Sequence, residues 1–139
     1  MKKIFIGILI SIIGSVNASA DITPERDREL ELELQREAYI CRQKCPKDVG
    51  FGVTLETVLF HDDEFEYVYL IQDVNEESRR NKEDEKDRIR HGFLSTPQGR
   101  QFIANLAEKG ASLVYYYHTS AGEGYTLTFP PEELASFLQ

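Results

Sequence analysis

From residue 22 to 45 apolar side chains recur at helical spacing: Leu30, Leu34, Ala38, Cys41 and Cys45 share one stripe. Thr23 is a good N-cap, and Pro24 takes the first helical position, where its missing N–H costs nothing. Leu30 to Leu34 also alternates with period two, but Leu, Glu, Gln and Arg favour helix over strand. Pro46 ends the segment, because the residue before a proline is pushed out of the α region.

Two strands follow. Gly52 to Phe60 alternates, with Val53, Leu55, Thr57 and Leu59 on one face, and Phe65 to Asp73 is rich in aromatic and β-branched residues. His61-Asp62-Asp63-Glu64 joins them as a connector of hairpin length. From Asn75 to Arg90 the only apolar residue is Ile89, which reads as a solvated helix or a mobile excursion. Its internal pairs are Asp84/Arg88 and Glu76/Arg80, and it meets the core through Ile89, Phe93 and Leu94. Thr96-Pro97 repeats the cap-and-proline device, and Phe102, Ile103 and Leu106 give that helix its apolar side up to Gly110. Ser112–His118 and Tyr125–Phe129 form a second hairpin, and Pro130-Pro131 opens a short terminal helix. The order α-β-β-α-α-β-β-α predicts an α+β fold. Its sheet should have four antiparallel strands in two hairpins, with helices packed mainly on one face.

The first 20 residues have a different character. Lys2 and Lys3 precede an apolar run from Ile4 to Val16, and Asn17-Ala18-Ser19-Ala20 offers small residues at the −3 and −1 positions. This is the pattern of a secretory signal peptide cleaved after Ala20, leaving residues 21–139 as one mature domain. The run is too short to span a bilayer comfortably, and no cysteine there could carry a lipid. The expected location is periplasmic or secreted, with no stable membrane insertion after cleavage. Losing the two signal lysines takes the formal net charge from −8 to −10. Such acidity disfavours nucleic acid and anionic membrane surfaces and suits a protein partner with a basic face.

Cys41 and Cys45 are the only cysteines, and in an oxidising compartment they are expected to pair as a disulfide. A regular helix holds i and i+4 Cβ atoms about 5–6 Å apart, too far for a relaxed bridge, so the helix must fray at Cys45. The closed loop is tiny and should add about 2 kcal/mol or less. A redox motif would place C-x-x-C at a helix N-terminus, which this pair does not.

No catalytic residue can be named: the chain lacks G-x-S-x-G, H-E-x-x-H and a phosphate loop. His61, His91 and His118 are scattered, and His61-Asp62-Asp63-Glu64 lacks the calcium-loop pattern, so neither a metal nor a cofactor is expected. The tyrosines are the unusual resource. Tyr115, Tyr116 and Tyr117 are consecutive in a strand, so Tyr116 must point opposite to its neighbours. Tyr67, Tyr69, Tyr115, Tyr117 and Tyr125 are the candidate interface, since tyrosine is enriched where proteins meet.

These features point to a non-enzymatic exported binding or accessory protein acting by protein–protein contact in the envelope. An immunity or inhibitor protein, or a secretion-system accessory factor, would fit. A small exported hydrolase or metal-dependent enzyme would need His61 or His118 to converge with acids. A small-ligand carrier would need an enclosed apolar cavity between sheet and helices.

Overall fold

The computed structural model describes residues 22–72 and 82–139. The expected export segment and cleavage site lie outside the described residues, as does the expected Glu76/Arg80 pair. Helix α1 (Pro24–Gln43) starts where its cap dictates, with the Thr23 side chain accepting from the Arg26 N–H at 3.1 Å. It ends at Gln43, two residues before Cys45. Its stripe of Leu30, Leu34 and Ala38 is buried, with Leu34 and Ala38 in the apolar cluster shared with the sheet.

The sheet corrects the sequence reading in two respects. It has five strands, in the order β1 (Lys47–Gly50), β2 (Val53–His61), β3 (Glu64–Ile71), β4 (Ser112–His118) and β5 (Gly124–Phe129). It is also mixed, because β3 and β4 run parallel while every other pair is antiparallel. The added strand β1 is short and mostly exposed, so it leaves no alternating apolar signal to detect. The parallel pair follows from the connection. Helices α2 (Lys82–Leu94) and α3 (Pro97–Lys109) carry the chain back to the end where β3 began, so that Ser112 registers with Glu64. Parallel neighbours need a crossover of this length; a hairpin cannot supply one.

A bulge corrects the facing of β2. The register slips between Leu55 and Thr57. Val53 and Leu55 therefore pair with Ile71 and Tyr69, but beyond the slip it is Val58 and Phe60, not Thr57 and Leu59, that enter the core. An extra residue in one strand flips the side-chain alternation after it.

The described helices pack on one face. Their buried residues join Val58, Phe60, Phe65, Leu113, Leu127 and Phe129 in a single apolar cluster. Helix α3 is capped at Thr96, whose side chain accepts from Gly99 N–H at 2.9 Å. It closes at Gly110 in the left-handed conformation, φ 78°. Helix α4 (Pro131–Phe137) completes the layer through buried Leu134. Of the segment 75–90, which the sequence reads as a solvated helix or a mobile excursion, residues 82–90 belong to α2, and the expected contacts Ile89 and Phe93 are half-buried against the core. There Arg88 pairs with Glu85 rather than Asp84.

Two polar devices tie α1 in place. The Arg26 guanidinium holds Glu108 of α3 through two bonds of 2.7 and 2.9 Å. Lys109, itself buried, reaches Asp63 at 2.7 Å, Asp27 at 3.3 Å and Glu31 at 3.5 Å. Burial alone would lower the Lys109 pKa, but the bonds to Asp63 and Asp27 outweigh it and raise the value. Helix α1 also guards the outer edge of β2 beyond the reach of β1. Gln35 Nε2 donates to the Phe60 carbonyl at 2.9 Å and Arg42 donates to the Val58 carbonyl at 2.7 Å.

Lys109→Met keeps the stem but strands three carboxylates, two of them from α1. Because those carboxylates are partly solvated, the expected loss is about 1–3 kcal/mol, measured by urea unfolding. Phe65→Ala, at the centre of the cluster, should cost about 3–5 kcal/mol in the same assay.

Candidate functional site

The parallel junction sets the tyrosines in rows. Tyr67 registers with Tyr115 and Tyr69 with Tyr117, and Tyr117 in turn faces Tyr125 across the β4–β5 pair. Same-face residues of neighbouring strands lie within ring contact. The result is a stacked ladder: Tyr67–Tyr115 at 5.0 Å, Tyr69–Tyr117 at 5.2 Å and Tyr117–Tyr125 at 4.8 Å between ring centroids. All five lie on the helix-covered face, and Tyr116 points the other way, 40% exposed.

The ladder runs from the core into a groove. Tyr115 is buried against Phe129, whereas Tyr69, Tyr117 and Tyr125 are only partly covered. They form the floor of an open groove of about 750 Å³. One wall is α2, through Glu85, Arg88, Ile89, Gly92 and Phe93. The other is the β1–β2 hairpin, through Val49, Gly50, Phe51 and Val53. The wall of α2 also carries charge: Glu85 pairs with Arg88 and accepts from the Tyr117 hydroxyl at 3.5 Å.

Phe51 is the residue the sequence reading missed. It sits between Gly50 and Gly52 at the hairpin tip, fully exposed, with φ of 56°. A bulky side chain in the left-handed region is disfavoured, and an aromatic there gains nothing by burial. Val49 beside it is also exposed. The signal in the sequence was the glycine on each side of an aromatic, which marks a tight turn carrying an apolar tip.

The remaining candidates are separated. His61 lies at the β2–β3 turn, where Nδ1 meets Asp62 at 3.3 Å and Nε2 meets Glu66 at 3.0 Å. His118, at the far end of the same open sheet face, meets Glu56 at 2.5 Å. His91 belongs to α2, among the helices of the opposite face. The three histidines therefore do not converge, and no group of three metal-ligating side chains occurs among the described residues. Cys41 and Cys45 are free thiols at the end of α1. The Cys45 thiol donates to the Cys41 carbonyl at 3.4 Å, and the Cys41 thiol points to Glu37 at 3.7 Å.

No family model matches the chain, and no curated protein matches it in sequence. Solved structures do share its α+β fold. A Pseudomonas aeruginosa protein classed as secreted superposes with a TM-score of 0.61 at 16% identity, over 81% of this chain and 99% of its own. The Vibrio vulnificus type 2 secretion pilotin EpsS gives 0.60 at 13%, over 84% of this chain and 98% of its own. The Vibrio cholerae type II secretion pilotin AspS gives 0.56 at 16%, over 78% and 95%. At these identities the likeness establishes the architecture. No described helix is long and apolar enough to cross a membrane.

Burial raises the Tyr69 phenol to about 12, pushes those of Tyr67 and Tyr117 further up, and raises that of Tyr115 well above its ordinary value. A free tyrosine ionises near pH 10, so the ladder's stabilising effect is complete below about pH 10 and is lost as pH rises through the folded values. The ladder's phenolate absorbance should appear together with loss of circular dichroism in an alkaline titration. For His61, the bonds to Asp62 and Glu66 raise the pKa above its usual 6.5. Its contribution is complete below about pH 6.5 and fades as pH climbs through the folded value. Histidine NMR should place its midpoint above 6.5 in the native protein and lower in Glu66→Gln.

Proposed function

We propose that this chain is an exported accessory factor of a secretion system, acting in the cell envelope by protein–protein contact. The observation that carries the reading is the tyrosine-floored groove with its exposed Phe51 rim, on a fold shared with two type II secretion pilotins. An exposed apolar rim around a preformed concavity is characteristic of a docking site. In this reading Phe51, Val49 and Phe93 take apolar side chains of the partner. The hydroxyl-bearing rings of Tyr69, Tyr117 and Tyr125 supply rigid area at low entropic cost. The chain's acidity favours a partner segment with basic flanks.

The accompanying expectations are part of the same proposal. Residues 1–20 direct export and are removed after Ala20, and residues 21–139 act as one mature domain. The groove opens along the hairpin tip, which suits a protein segment better than a small molecule that must be enclosed.

A benzophenone amino acid at position 51, introduced into the full chain in its native host, should crosslink to a component of the secretion machinery. A second photoreactive position at Tyr116, on the opposite face, should not. Phe51→Ser should weaken the captured complex by about tenfold or more, corresponding to about 1.4 kcal/mol. Adducts from Tyr116 alone, or from neither position, would remove the reading.

A further inference from the structure

Between α1 and the groove lies a segment whose chemistry the docking surface does not use. Cys41 is in the last turn of α1, and Cys45 stands two residues beyond the helix end, released from helical spacing. The Cys45 sulfur already lies 3.4 Å from the Cys41 carbonyl oxygen. Both side chains pack against the apolar cluster and remain partly accessible. Only Pro46 separates Cys45 from β1, and β1 leads straight into Val49 and Phe51. That strand is weakly held: it pairs with β2 at three positions and its register shifts between Asp48 and Gly50. The Cys41 side of the segment, by contrast, is anchored, because Arg42 donates to the Val58 carbonyl at 2.7 Å.

We propose that Cys41 and Cys45 form a reversible redox staple that fixes the hairpin wall of the groove. Oxidised, the bridge ties the root of β1 to the anchored last turn of α1 and holds Phe51 over the tyrosine floor. Reduced, the hairpin keeps its short ladder, the Gln72 N–H donating to the Gly52 carbonyl at 2.9 Å and the Cys45 N–H donating to the Arg42 carbonyl at 3.0 Å, but no covalent tie. The oxidant is a disulfide, either a small one or that of a thiol oxidoreductase. Burial raises the pKa of both thiols. Glu37 adds to the rise at Cys41 although Lys44 opposes it, while at Cys45 only Arg42 and Lys47 act beside burial and both oppose the rise, so Cys45 is the better placed to attack. Cys45 gives up its proton, attacks one sulfur of the oxidant and releases the other as a thiol. Cys41, deprotonated in turn, attacks the Cys45 sulfur of the mixed disulfide and expels the second thiol. Two protein thiols are oxidised to one disulfide and one disulfide is reduced to two thiols, so atoms and electrons balance.

The five-residue span closed by the bridge is short, so its effect is local rather than global. That separates it from an ordinary structural disulfide, whose main signature is a shift in overall stability. The staple also goes beyond the partner-binding proposal, because its test reads the hairpin and requires no partner.

The mature protein is treated with oxidised glutathione or with a reducing phosphine, and the intramolecular bridge is confirmed by the loss of two hydrogens in the monomer mass. Limited chymotrypsin digestion then reports cleavage after Phe51, and amide exchange reports residues 47–52. Cleavage should be at least about threefold slower in the oxidised form, with slower exchange confined to that hairpin. The double variant C41S/C45S should match the reduced protein under both treatments. Equal cleavage and exchange in the two redox forms would overturn the proposal. So would failure of the thiols to pair within one chain under oxidised glutathione.

Discussion

The parallel pairing of β3 with β4 is the constraint on which the rest of this structure depends. An isolated two-stranded hairpin is marginally stable at best in water, and neither hairpin has a complete hydrophobic face. Joining them in parallel places Phe65 beside Leu113 and two tyrosine pairs in register behind them. It also obliges the connecting chain to travel the length of the sheet. That journey includes α2 and α3, so part of the layer covering the core and one of the two walls of the groove are products of the crossover. An antiparallel junction would have needed no such excursion, and the tyrosines would have met different neighbours.

The sequence made the local parts legible and left the long-range part hidden. Thr23-Pro24, Thr96-Pro97 and Gly110 marked helix ends because capping is chemistry within a few residues. Strand period marked the reversal at Tyr116 between Tyr115 and Tyr117, and aromatic and β-branched composition marked β3 as a strand. How the two hairpins join is decided between residues more than forty positions apart, and no local period encodes it. The slip near Glu56 was equally invisible, since a bulge exchanges one acceptable alternation for another. β1 escaped because Lys47-Asp48-Val49-Gly50 carries neither β-rich composition nor a buried face.

The candidate site was half legible for the same reason. Clustered tyrosines in strands announced an aromatic surface, and all five fall on one face. Their division into buried and groove-lining members depends on how far α2 and the hairpin extend over them, which is a tertiary matter. Phe51 went unread because a single aromatic between strands has no period, and burial cannot be inferred for one residue in a turn. Whether the histidines converge was not legible in the sequence, and the sheet sends His61 and His118 to opposite ends of its open face.

The capping of the β2 edge by Gln35 and Arg42 has a consequence for how this protein survives at high local concentration. A bare strand edge is a template on which other chains can aggregate. Here the carbonyls of Val58 and Phe60 are taken by side chains of a helix that runs alongside. The helix therefore stands in for the length that β1 lacks while presenting no backbone of its own for further growth. The guard consists of two side chains, so a variant could keep the fold intact and still gain a tendency to polymerise. The protection of this edge rests on two positions on α1 and not on the core.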